Sequence, residues 1–163
     1  RQIVFCKPVP IGGRHLDQRV AERLDIDSLA AAELRQARMN TVGTLAESTD
    51  GAVSEAARPV LAELGRESML CLRHFSVSVR GDRLDHLVVS GAHAMEPGLA
   101  ELLNSACRLS VQRDDESACM ADLQTGLAKA MPGLCGPPQA WAAATGLSLR
   151  GVAGERKSGR RAA

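Results

Sequence analysis

Residues 84–103 read LDHLVVSGAHAMEPGLAELL, and they carry the strongest secondary-structure signal in the chain. The apolar run within Leu84–Ser90 predicts a strand, and Gly91 opens a loop after it. Pro97 suits the first turn of a helix whose leucines recur with helical spacing. Leu109–Val111 predicts another short strand. This order of strand, glycine turn, helix and strand is typical of an α/β unit, with an interior strand covered on both faces and ligands at its glycine end.

Helical periodicity runs through the residues that precede this unit. In Arg14–Leu24 apolar residues fall at i, i+4 and i+8 and predict an amphipathic helix. Ser28–Met39 is rich in helix formers, and Ser28 can cap its start. Helical spacing continues over Val53–Phe75, where we expect a start or a kink at Pro59 because proline lacks an amide hydrogen.

The two ends of the chain are predicted more coarsely. Ile3–Phe5 is apolar and ends before prolines, so it predicts a strand leaving a sheet. Ala140–Leu149 predicts a closing helix that packs on a sheet. The basic residues after Gly154 predict a disordered tail. Because residue 1 is neither an initiating methionine nor part of a signal peptide, we expect the chain to begin within a longer protein.

Composition excludes several classes of protein. Hydrophobic residues make up 45% of the chain, which argues against disorder, and a net charge of +1 predicts no nucleic-acid partner. With one Trp, two Phe and no Tyr, the chain lacks rings for stacking bases or sugars. No apolar run is long enough to cross a bilayer. Five cysteines without a C-x-x-C pair predict buried or idle thiols in a reducing cytoplasm rather than zinc ligands.

Catalytic and metal-binding motifs are weak. The histidines lack the i, i+4 partner of a zinc-binding helix, and the chain contains no G-x-S-x-G, Walker or G-x-G-x-x-G sequence. Asp82 and Asp85 are either a general acid and base or the solvated residues of a turn. Two glycine turns, residues 11–17 and 90–98, each follow a predicted strand and open a helix. Such turns bind an anion or a nucleotide, or simply reverse the chain.

Six segments in this order resemble the second half of the actin-like ATPase superfamily and, within it, the PilM family of type IV pilus assembly proteins. The segments are Ile11–Gly13, Ala32–Arg35, Arg58–Leu61, Leu84–Gly91, Pro97–Leu103 and Ala143–Arg150. The resemblance covers nearly the whole chain. It implies an actin-like (RNase H-like) α/β second domain, with a mixed sheet, flanking helices and a small inserted subdomain. Residues 1–37 and 58–151 would form the core, residues 38–57 the insert, and residues 152–163 a flexible tail.

The resemblance also implies a nucleotide site. Gly13 would lie against the ribose, Gly91 would pass close to the adenosine, and Arg35 would take the place of the family's usual lysine on the adenosine-side helix. The family's phosphate-binding hairpins would lie upstream of residue 1. ATP with Mg²⁺ is the implied cofactor, and no residue of this chain is expected to bind the metal directly. The implied nucleotide-binding residues are Gly12, Gly13, Arg35, Ser90, Gly91 and Ala92.

Two departures from the family pattern predict weakened or lost ATP binding. Ala92 stands where the family usually has a second glycine, and its methyl group narrows the approach and penalises a positive φ by roughly 1 kcal/mol. Ala32 replaces a glutamate of nucleotide-binding relatives and removes one ribose hydrogen bond, which is worth about 1 kcal/mol.

The function implied by the resemblance is that of a cytoplasmic scaffold. It would dock the cytoplasmic tail of a PilN-type inner-membrane protein and link it to the assembly motor, with no membrane insertion of its own. Any nucleotide would act as a conformational ligand. The alternatives are a sugar or acetate-type kinase on the same fold, an FtsA-like membrane tether, and a plain α/β domain whose glycines make turns. The FtsA-like tether is disfavoured because the residues after Gly151 lack an amphipathic apolar face.

Overall fold

A computed structural model describes residues 5–40, 45–79 and 84–114, together with Trp141, Ala143, Ala144 and Leu147. The chain divides into two compact units. The larger unit comprises the described residues as far as Val88, and then Met95–Gln112. The smaller unit comprises Val89–Ala94 and the described residues from Arg113 onward.

Helices dominate the part of the chain that the structure describes. The predicted helices within Arg14–Leu24 and Ser28–Met39 and the helix that follows Pro97 are confirmed. Ala143, Ala144 and Leu147 are helical as expected, whereas most of the predicted closing helix lies outside the described residues. The elements in chain order are α1 Gly13–Leu24, α2 Ser28–Asn40, α3 Glu47–Ser78, β1 His86–Val89, α4 Leu99–Cys107 and β2 Ser110–Arg113.

The cap of α2 is one residue earlier than predicted. Asp27, rather than Ser28, satisfies the first amides, because its Oδ1 accepts from the N–H groups of Leu29 and Ala30 at 2.8 and 3.0 Å. The carbonyl oxygen of Asp27 also accepts the first helical bond, from Ala31 at 3.0 Å. An aspartate side chain in this position compensates donors that would otherwise have no partner within the helix.

The core of the larger unit forms where α1, α2 and α3 meet. Its fully or almost fully buried residues are Val20, Ala31, Val53 and Ala56, with Ala21, Leu24 and Ile26 packed partly against them. Three of these seven side chains are alanines, and the others are aliphatic. The predicted inward face of α1 is confirmed, because Leu16 and Val20 are buried.

Helix α3 is longer than the sequence predicts. It begins at Glu47 and continues through Pro59, so the helix does not start at this proline, and the alternative expectation of a kink there stays a prediction. Because Pro59 is exposed, its ring projects into solvent. Gly65 lies against α4, where an added Cβ would come within 2.6 Å of Leu102 Cδ2 and 3.2 Å of Ala106 Cβ. The absence of a side chain at Gly65 therefore lets the two helices pack closely.

The predicted mixed-sheet, actin-like domain is wrong. The structure is mostly helical, and the described residues form only a small sheet in which β1 and β2 pair in parallel. Val88 in β1 is 53% exposed, so the strand is not covered on both faces. An apolar run such as Leu87–Val89 is buried only when helices or further strands pack on both of its faces. The composition of the run alone does not show whether such neighbours are present.

The segment before α1 packs on α3 instead of forming a strand. The Phe5 ring stacks on His74 with a centroid separation of 5.5 Å and meets the edge of Phe75 at 6.1 Å. Further along, Lys7 Nζ lies 3.7 Å from Glu67 Oε2. The described part of the predicted strand, Phe5, is therefore not in a sheet, whereas residues 3 and 4 lie outside the described residues.

The predicted domain boundaries stay a prediction. Residues 47–57, assigned to the insert, form the first turns of α3 and contribute Val53 and Ala56 to the core. Residues 41–44 and the predicted tail of residues 152–163 lie outside the described residues. None of the described helices is both long enough and apolar enough to span a membrane.

Candidate functional site

A buried charge cluster is centred on Arg35 of α2, whose side chain is 1% exposed. Its Nη2 donates to Glu96 Oε2 at 2.6 Å, and its Nη1 donates to the Gly13 carbonyl at 3.0 Å. The same Nη1 also donates to Asp17 Oδ1. Arg35 therefore ties α2 to the first turn of α1 and to the residue three positions before α4.

Arg38, one turn further along α2, extends the cluster toward α3. Its Nε donates to Asp50 Oδ1 at 2.6 Å, and its Nη1 lies 3.9 Å from Glu96 Oε1. Glu96 thus lies between two guanidinium groups. We call this set, which comprises Arg35, Arg38, Asp17, Asp50 and Glu96, the charge cluster.

The charge cluster connects the helices, but burying its charges costs desolvation free energy. Three of its atoms are shielded from solvent without a hydrogen-bond partner: Arg35 Nε, Arg38 Nη1 and Glu96 Oε1. Burying charges requires desolvation, and their mutual attraction offsets this only while all partners are present. Loss of one member would leave an opposite charge buried and unpaired, so the cluster makes the packing of α1, α2 and α3 mutually dependent.

Gly12 and Gly13, two predicted nucleotide-binding residues, form the start of α1. The Gly12 N–H donates to His15 Nδ1 at 3.2 Å, and Gly12 has extended backbone with a φ of −158°. A Cβ on Gly12 would meet no atom within 4 Å. Neither backbone strain nor packing therefore requires glycine at position 12. Gly13 and Arg35 are brought together, since the Gly13 carbonyl accepts from the Arg35 guanidinium.

The other predicted nucleotide-binding residues belong to the smaller unit. Ser90 follows β1, and its hydroxyl donates to Asp114 Oδ2 at 2.9 Å. Gly91 has a φ of +108°, in the region that favours glycine, and its carbonyl accepts from Ala94 N–H at 3.0 Å. Ala92 is exposed and does not have a positive φ, so the strain expected there is absent. The grouping of this turn with Gly13 into one site stays a prediction.

The environment of Arg35 argues against its predicted role as a nucleotide-binding residue. Two carboxylates and a carbonyl bind its guanidinium, and almost none of the side chain reaches solvent. An anionic ligand at Arg35 would have to compete with Asp17 and Glu96. In this structure Arg35 is an internal counter-ion.

Sequence reasoning missed the carboxylates of the charge cluster. Asp17, Asp50 and Glu96 lie on three different parts of the chain, and nothing in their local sequence marks them. The available signal was in α2, where Ala31, Arg35 and Arg38 share one helical face at i, i+4 and i+7. Two arginines on the face that also carries a buried alanine predict buried carboxylates nearby.

A groove of about 450 Å³ lies between α1, α3 and the segment before α1. Carboxylates are prominent in it. Arg19 Nη1 lies 2.9 Å from Glu22 Oε2, and hydrogen bonds from Arg19 and then Gln18 hold the pKa of the Glu22 carboxyl below its usual value. The lining residues are Pro10, Ile11, His15, Gln18, Arg19, Glu22, Val60, Glu63 and Glu67.

Metal-ligating side chains do not converge within the described ranges, where no three His, Cys, Asp or Glu residues are placed to hold an ion. Three cysteines are described, and all are free thiols: Cys6 is exposed, while Cys71 and Cys107 are half-buried. Cys6 is therefore not a buried thiol, and the alternative in the prediction, that it is an idle thiol, stays a prediction. The remaining two cysteines lie outside the described residues.

Comparison with known proteins assigns no family. No protein-family model matches the sequence, and no curated protein matches it significantly.

Proposed function

We propose that this chain is a non-catalytic docking module of a cytoplasmic assembly scaffold of the PilM type. The resemblance of six sequence segments supports the scaffold assignment. In this role the chain binds the tail of a PilN-type inner-membrane protein and holds that tail close to the assembly motor. The chain stays in the cytoplasm and reaches the membrane only through that partner.

The observation that carries the non-catalytic role is the neutralisation of Arg35. The side chain predicted to face a nucleotide is bound by Asp17 and Glu96 and is 1% exposed. A cation held in this way makes the helix packing dependent on its carboxylate partners and is not free to bind phosphate or ribose. Together with Ala32, it supports a chain that acts through its surface.

The proposal is tested by two titrations of the full-length protein. A synthetic peptide with the cytoplasmic N-terminal tail of a PilN-type protein should bind with a micromolar Kd, measured by fluorescence anisotropy, and a scrambled peptide should not. Addition of ATP with Mg²⁺ should leave that Kd unchanged within twofold. Failure to bind the tail would overturn the docking role, and low-micromolar binding of a fluorescent ATP analogue would overturn the nucleotide independence of that role.

A further inference from the structure

Burial along α3 changes at Gly65. All of its buried residues, from Val53 to Gly65, lie in the first part of the helix. None of the residues from Arg66 to Ser78 is buried, although this part contains many apolar side chains. We call Glu47–Gly65 the inner half of α3 and Arg66–Ser78 the outer half.

One face of the outer half presents alternating cationic and apolar side chains. Arg66, Leu70, Arg73 and Val77 are separated by four, three and four residues, so they share one helix face. Leu70 is 40% exposed and Val77 is 80% exposed. Both arginines are exposed, and neither has a carboxylate partner among the described residues. We call these four residues the outer stripe.

The spacing of the outer stripe is that of a coiled-coil seam. Steps of four, three and four residues place Leu70 and Val77 at positions equivalent to a, with Arg66 and Arg73 at positions equivalent to d. A second helix can pack on exposed apolar residues that have this spacing. The arginines between them favour a helix that carries acidic side chains. A second copy of this chain in parallel register would place arginine against arginine, which disfavours self-association.

We propose that the outer stripe is a docking surface for an acidic amphipathic helix of a partner protein. Leucine or isoleucine side chains of the partner pack on Leu70 and Val77, while its aspartates or glutamates pair with Arg66 and Arg73. The inference rests on the proposed docking function and adds the chemistry of one partner and the residues that bind it. The recognition mode is an amphipathic helix laid along a complementary apolar and charged face.

The test uses the full-length protein and a fluorescent 21-residue heptad peptide with leucine at its a positions and glutamate at its d positions. The wild-type protein should bind this peptide, and Arg66→Glu/Arg73→Glu should bind it at least tenfold more weakly. The reversed variant should instead bind the same peptide with lysine in place of glutamate. This exchange of preference distinguishes charge recognition from misfolding.

Arg58→Glu is the matched control, because Arg58 is exposed on the inner half of the same helix. It should leave binding of the acidic peptide unchanged within twofold. Leu70→Ser/Val77→Ser should weaken binding at least fivefold by removing the apolar contacts. An equal loss in Arg58→Glu, or equal binding of the acidic and basic peptides by the wild-type protein, would overturn the proposal.

A membrane surface is the competing outcome. Vesicles containing phosphatidylserine should not bind the wild-type protein, whereas vesicle binding that is lost in Arg66→Glu/Arg73→Glu would replace the partner helix with a lipid surface and overturn the proposal. The wild-type protein should be tested with both the PilN-type tail and the acidic peptide. Tail binding with no binding of the acidic peptide would refute the docking surface alone, and the opposite pattern would refute the proposed function alone.

Discussion

The inner and outer halves of α3 belong to one continuous helix, yet they differ sharply in burial. The inner half buries mainly small side chains, among them Ala56, Ala57 and Gly65, against neighbouring elements. The outer half carries larger apolar residues, such as Leu70 and Phe75, and buries none of them. Burial in this helix is therefore set by which elements pack on it and not by the hydrophobicity of its residues.

The largest expected effect is a loss of stability when the charge cluster, which contacts the inner half of α3 through Asp50, is broken. Arg35→Met removes the central cation of the charge cluster and leaves Glu96 and Asp17 without their main partner. Breaking a buried ion pair from one side costs about 3–5 kcal/mol of unfolding free energy. Urea denaturation followed by far-UV circular dichroism measures this loss.

Arg73→Met on the outer half is the matched control for this arginine, and it should change stability by no more than about 0.5 kcal/mol. The double variant Arg35→Met/Glu96→Leu should regain at least half of the lost stability, because an apolar pair avoids the buried charge. Equal losses in the two single variants would remove the distinction between the halves of α3.

A smaller effect compares one valine from each half. Val53→Ala removes two methyl groups from a fully buried side chain and should cost about 2 kcal/mol, from lost burial and the resulting cavity. Val77→Ala should be close to neutral, since Val77 is largely exposed and alanine favours the helix. The same denaturation measurement checks both variants, and a substantial loss in Val77→Ala would show that this residue packs against another part of the molecule.

Gly65 marks the boundary between the halves and is expected to tolerate a methyl group poorly. Gly65→Ala should lower stability by about 1 kcal/mol, because the added Cβ overlaps Leu102 and presses on Ala106. Gly51→Ala, in the same helix and in open space, should gain about 0.5–1 kcal/mol from helix propensity. A gain in both variants would mean that α4 shifts freely away from α3.

The smallest effect is a difference in thiol reactivity near the outer half. Burial, and then the proximity of Cys71, raise the pKa of the Cys107 thiol, so less of it is thiolate at a given pH. At pH 8 the rate at which iodoacetamide labels Cys107 should be at least about threefold lower than the rate for exposed Cys6. Peptide mass spectrometry measures both rates. Cys71→Ser should speed labelling of Cys107, whereas Cys6→Ser should not. Equal rates for Cys6 and Cys107 would indicate that the outer half separates readily from α4.

Local features of the fold were predictable, and assembly was not. The spacing of Leu16 and Val20 predicts the buried face of α1 because helix periodicity is a property of neighbouring residues. The apolar run around Val88 predicts a covered strand only if other strands and helices are present, and the local sequence does not specify them. The α2 cap was misplaced by one residue because Asp27 and Ser28 are both good capping residues.

The candidate site shows the same division. Arg35 could be singled out from its position in a helix motif, but its role depends on Glu96, which is 61 residues away in sequence. Pairing over such a distance is decided by tertiary packing. A glycine turn at Gly91 was predicted, and Gly91 has a positive φ. The ordinary backbone at Ala92 was not expected, because a methyl group there predicts strain only if the family's loop geometry is retained.

The long separation of Arg35 and Glu96 constrains how the chain matures during translation. The ribosome releases α1 and α2 well before Glu96 emerges, so until then the Arg35 guanidinium lacks its most buried counter-charge. We therefore expect α1 and α2 to stay hydrated and only loosely associated on the nascent chain. We expect their tight association to follow the synthesis of Glu96, which completes the buried ion pair with Arg35.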